Sequence, residues 1–128
     1  MIRALTFALL CLGGAAAAQT RNDAFAPAPG SEGASGRGAV LRGLDKISGE
    51  VQDMTLAVGD TLIFHHLTVA LTGCRYPAEN PSSDAYAFLD ITDSVSAERL
   101  FHGWMVASSP ALNALDHPRF DIWVMACH

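Results

Sequence analysis

The chain carries three cysteines, and their placement constrains its folding more than any other feature. Cys11 lies in an apolar N-terminal run, whereas Cys74 and Cys127 stand far apart in the part that can fold. In an oxidising compartment those two permit a single pairing. Closing so long a loop stabilises the folded state by about 4 kcal/mol in the chain-entropy model. A domain of this size has a marginal core, so a contribution of that order is large. No Cys-x-x-Cys is present, and two isolated cysteines make half a zinc site. The pair therefore reads as a structural disulfide.

The compartment follows from the N-terminus. Arg3, the apolar stretch 4–12 and the small residues Gly13 to Ala18 follow the three-part grammar of an export signal. Residues 1–18 are expected to be removed, with cleavage between Ala18 and Gln19. The apolar run is far shorter than the roughly 20 residues that span a bilayer. Leu10 stands before Cys11 where a lipoprotein signal wants a small residue. The expected destination is the periplasm, with no transmembrane segment after cleavage. Losing Arg3 makes the formal charge more negative than the −5 of the whole chain. Such a domain is repelled by nucleic acid and by anionic membrane surfaces.

Residues 19–38 are rich in Gly, Ala, Ser and Pro with one aromatic, too little apolar area to offset chain entropy. They read as a flexible tether, leaving 39–128 as a single domain. No internal repeat stands out. Apolar residues in the domain alternate with period two between turn signals. Strands are expected at 51–58, 61–64, 67–74, 85–91, 99–107 and 120–127, with a short extended or turn-like lead at 43–47 and a loop at 77–84. Ser109 and Pro110 start a helical turn over 111–115, which His117-Pro118 ends. The expected fold class is all-β, a small five- or six-stranded barrel or sandwich with one helical turn before the last strand. That placement of the turn is similar to SH3-like barrels.

Candidate chemistry is thin. His65, His66, His102, His117 and His128 show no metal-ligand spacing, and adjacent His65 and His66 would face opposite ways on a strand or sit in a turn. No metal and no cofactor is expected. Ser108, Ser109, Asp116 and His117 hold the residue types of a hydrolase, but no G-x-S-x-G elbow surrounds the serines, and capping accounts for Ser109. Asp90, Asp93 and Glu98 read as a solvated loop rather than a pair of glycosidic acids. Trp104 and Trp123 combine apolar area with a donor, the profile of recognition residues. The plainer reading packs both into the core. With His117, they are the candidate binding residues.

The run LFHGWMVASSPALNALDHPRFDIWVMAC at 100–127 resembles the motif of the exported alphaproteobacterial family catalogued as Domain of Unknown Function 2155. RGLDKISG at 42–49 resembles its entry motif, and Cys74 falls where its first cysteine is expected. The resemblance covers nearly all of the folded part. His102 departs from the pattern, which has a small polar residue before Gly-Trp, and this argues against a role for it. The resemblance implies export, one domain and a place beside an inner-membrane respiratory or cell-envelope complex. It brings no activity, cofactor or catalytic residue. The expected function is a non-catalytic binding or accessory module with a protein partner in the periplasm. The alternative is a small hydrolase or cell-wall-acting enzyme using Ser109, Asp116 and His117.

Overall fold

A computed structural model describes residues 33–128, so the expected leader and most of the expected tether lie outside the described residues. Eight strands follow in chain order: β1 (Gly33–Ser35), β2 (Gly38–Asp45), β3 (Val51–Ala57), β4 (Thr61–Phe64), β5 (Leu67–Pro77), β6 (Tyr86–Asp93), β7 (Arg99–Val106) and β8 (Phe120–Cys127). All pairings are antiparallel. Five strands form one sheet in the order β1-β5-β6-β7, with β4 also on β5, and three form another in the order β3-β2-β8. The arrangement is a two-layer sandwich with no closed barrel, and it holds more strands than the five or six expected.

The period-two pattern decides which residues meet between the layers. Leu67, Val69 and Leu71 of β5, Leu89 and Ile91 of β6, and Phe101 and Met105 of β7 face inward from the larger sheet. Leu41, Met54, Leu56, Ile122 and Val124 face them from the smaller one. The disulfide expected from the sequence forms with Cα atoms 5.9 Å apart. It joins β5 to the end of β8 and so ties one sheet to the other.

Three local expectations change. The lead at 43–47 divides: residues 43–45 end β2, the central strand of the smaller sheet, and 46–47 belong to the turn that follows. The inner row of β2 includes Gly43 because the Phe64 ring occupies the space where a side chain would be; a Cβ there would lie 2.6 Å from Cζ. Within the span read as tether, β1 pairs with 75–77 of β5, and β2 begins at Gly38. Pairing at an edge needs backbone groups rather than apolar side chains, and Gly36 N–H adds a bond to Cys74 O at 2.8 Å. The helical turn shrinks to a single 3₁₀ turn at Pro110–Leu112, for which Ser109 makes no side-chain cap.

A repeat also emerges. The β2–β3 and β6–β7 connections, DKISGE at 45–50 and DSVSAE at 93–98, share one hydrogen-bond pattern. In each, the first Asp accepts from the backbone two and three residues on: Ile47 and Ser48 at 2.9 and 3.3 Å, Val95 and Ser96 at 2.8 Å each. In each, the serine Oγ accepts from the closing glutamate N–H, at 3.2 and 3.3 Å. The fifth residue is left-handed in both, Gly49 at φ 75° and Ala97 at φ 59°.

Replacing Gly43 with Ala should destabilise the domain by about 1–3 kcal/mol, since the buried Phe64 ring must shift in a filled core. Urea unfolding of G43A checks this; unchanged stability would mean the ring has room to move.

Candidate functional site

Trp104 and Trp123 are both half-buried and lie on outer faces of the two sheets, not in the core. Trp123, on β8, is in register with Arg42, which forms a two-pronged ion pair with Asp53 at 2.6 and 2.9 Å. Trp104, on β7, stands opposite Phe88 with the rings edge to face at 5.3 Å. Its ring reaches across to β5, where a Cβ on Gly73 would lie 3.2 Å from Cη2. The β5–β6 register shifts between Leu71 and Gly73. Beside that bulge the backbone opens a groove of about 320 Å³ lined by Ser35, Val58, Thr72, Gly73, Arg75 and Trp104. An indole, a guanidinium and two hydroxyls thus border one concavity. This suits a ligand that is apolar on one side and hydrogen-bonding on the other.

The other sequence candidates are engaged elsewhere. Ser108 Oγ donates to Asp84 Oδ2 at 2.7 Å, and Ser108 N–H donates to Oδ1 at 3.0 Å. Desolvation opposes ionisation of Asp84, but the Ser108 bonds and Ala85 N–H outweigh it and hold the carboxyl below its ordinary range. His117 Nδ1 accepts backbone N–H bonds from Arg119 at 3.1 Å and Phe120 at 2.9 Å. Among the described residues no hydrogen bond joins His117 to Ser108, Ser109 or Asp116. Asp90 is a strand residue on the outer face rather than a loop acid. Its Oδ2 meets Arg99 at 3.0 Å and His102 Nδ1 at 3.2 Å.

His65 and His66 form the two-residue turn joining β4 to β5. The His65 ring stacks on Phe120 at 4.9 Å, the His117 ring stacks on it at 5.3 Å, and the Arg119 guanidinium carbon sits 5.2 Å from the same ring's centre. His65, His66 and His117 gather by packing against the Phe120 ring. Among the described residues no three His, Cys, Asp or Glu are arranged to hold a metal ion.

One polar pair escaped the sequence reading. Asp45 is 2% exposed and accepts from the Arg119 guanidinium at 2.9 and 3.2 Å, as well as from Ile47 and Ser48 N–H. The Arg119 bonds are the largest cause that holds its carboxyl well below the ordinary range; burial opposes them, and the two N–H bonds add to them. Lys46 Nζ donates to His117 O, and Lys46 N–H donates to Arg119 O at 2.8 Å. The stretches RGLDKISG and DHPRF are therefore two sides of one junction.

A carboxyl titrating lower in the folded than in the unfolded chain stabilises the fold above its unfolded value near 4. That contribution fades as pH falls towards the folded value. D45N should lower Tm at pH 7, and its deficit against wild type should shrink as pH drops below about 4. Thermal melts across that range test this; a deficit independent of pH would contradict it.

Residues 39–127 match the family described as "Uncharacterized protein conserved in bacteria (DUF2155)". The chain is also 30% identical over 87 residues to an uncharacterized protein of Rickettsia prowazekii (strain Madrid E), a match covering 66% of this chain and 56% of that protein. No solved structure matches.

Proposed function

Because the chain belongs to the DUF2155 family of uncharacterized conserved bacterial proteins, whose description carries no activity, we propose from its own geometry that it is a non-catalytic binding module of the periplasm. The observation that carries this reading is the groove beside Trp104. It offers one large aromatic side chain with polar groups around it, and none of its lining residues belongs to the serine and histidine set. Aromatic and arginine side chains are the residues that most often anchor a partner.

Export is supported by the signal-like leader and by the disulfide, since such bonds persist where the environment is oxidising. The partner is a protein segment that seats an apolar side chain against Trp104 and hydrogen-bonds to Ser35, Thr72 or Arg75. The hydrolase alternative gains nothing from the bonds His117 and Ser108 make.

Site-directed photo-crosslinking in living cells tests the reading. A photoreactive residue at position 72 should give a discrete adduct that W104A weakens, while the same residue at exposed position 55 gives none. Mass spectrometry of the mature chain should find Gln19 at its N-terminus. The reading fails if position 72 gives no adduct and S109A or H117A abolishes rescue of a deletion strain.

A further inference from the structure

A second concavity, of about 300 Å³, lies where the β5–β6 loop, the stretch after β7 and the end of β8 come together. Pro81, Ser82, Ser83, Asp84, Ser108 and Met125 line it, and it shares no residue with the Trp104 groove. What this lining offers a ligand follows from where its hydrogens go. A hydroxyl has one hydrogen to donate and two lone pairs that accept. Ser82 Oγ donates to Asn80 Oδ1 at 3.2 Å, Ser83 Oγ to Asn80 O at 2.8 Å and Ser108 Oγ to Asp84 Oδ2 at 2.7 Å. The N–H groups of Ser83 and Ser108 are engaged too, by Asn80 O and Asp84 Oδ1, each at 3.0 Å. All three serines are exposed. With their hydrogens committed inside the protein, they turn lone pairs towards the cavity.

The charge is the second observation. Asp45, Asp53 and Asp90 each meet an arginine. Among the described residues no Lys, Arg or His stands within ion-pair distance of Asp84. Its partners are neutral: the Ser108 hydroxyl, Ser108 N–H and Ala85 N–H at 2.8 Å. They keep the carboxyl ionised against the cost of burial, and they leave its negative charge uncompensated in the cavity wall. Asp84 is the one charged residue of that wall. Beside it Pro81 and Met125, the latter 43% exposed, supply apolar surface.

We propose that this cavity binds a primary alkylammonium group. An ammonium carries three N–H donors, no acceptor and a compact positive charge. That is the complement of a lining made of lone pairs and one unpaired carboxylate. The alkyl stem lies along Met125 and Pro81. A guanidinium fits less well, because its planar fork needs a free carboxylate edge and both Asp84 oxygens already accept from Ser108. Anions meet only lone pairs and negative charge there. A small free amine and the lysine side chain of a protein partner share the required chemistry, and the volume is at the lower end of those that hold a small ligand. This site is independent of the Trp104 groove, and either assignment can fail alone.

The test is an amide NMR titration of the full chain with Nα-acetyl-lysine methylamide and, separately, with cadaverine. Shifts should concentrate at Ser82, Ser83, Ser108 and Ala126 and leave Thr72 and Gly73 unmoved. D84N should weaken binding about tenfold, the loss expected for one charge-assisted contact. Because D84N also disturbs the Ser108 bonds, an S82A/S83A double variant is the second arm. It removes two acceptors from exposed positions and should weaken binding several-fold with an unchanged thermal melt. The tighter of the two probes identifies the source, a partner's lysine or a free diamine. Four results overturn the proposal: no shifts at these amides, equal binding of the uncharged norleucine analogue, equal binding of the trimethyl-lysine analogue, which keeps the charge but has no N–H, or the same shifts from potassium chloride at the same concentration. The last would make the cavity a site for an inorganic cation.

Discussion

One covalent bond joins two sheets that otherwise meet mainly through apolar side chains. Cys74 lies in β5, which has partners on both sides, and Cys127 closes β8 at the edge of the smaller sheet. Dispersion and apolar burial hold the layers together without specifying direction. The disulfide fixes where the end of β8 sits over β5. From that point the rest of the arrangement can be followed. β1 adds to the same stretch of β5, Gly36 N–H bonds to Cys74 O, and His128 O receives N–H bonds from Arg37 and Gly38. The disulfide end is thus closed by backbone bonds among the chain termini of the domain. At the opposite end Asp45, Arg119 and the Phe120 ring make a second junction from side chains.

The second junction says what the family-like motifs are for. Asp45 and Arg119 are separated by 74 positions and meet in two-pronged geometry at a nearly buried carboxylate. Gly43 makes room for Phe64, Gly49 takes the left-handed position of a turn, and His117 Nδ1 caps the start of β8. Each of these residues has an architectural task that needs its particular chemistry. A histidine beside an aspartate and serines in such a stretch looks like catalysis on paper. In space its nitrogen accepts backbone hydrogens.

Most of the strands were legible because each buries one face, which writes period two into the sequence. β3 through β8 follow that rule closely, and Phe120, Ile122 and Val124 face inward as the alternation implies. β2 was harder to read because its inner row contains a glycine and an aspartate, neither of which looks like core. β1 left no mark, since its contribution is backbone pairing. The twin turns were hidden because they share only three identical residues, with Gly in one and Ala in the other at the left-handed position. The tryptophans were ambiguous from sequence: their size suits a core anchor and a recognition surface alike, and small neighbours such as Gly73 let Trp104 lie on an outer face. Partnership across the chain, as between Asp45 and Arg119, is a tertiary fact that no local pattern carries.

The central claim is that the Cys74–Cys127 bond couples the two sheets into one cooperative unit. Native-state hydrogen exchange of the oxidised and reduced protein measures this directly, because it reports opening free energies for β2 and β5 separately. Protection in both strands should fall together on reduction, by up to the roughly 4 kcal/mol that loop closure provides. Loss of protection limited to the last residues of β8, with β2 and β5 unchanged, would contradict the account.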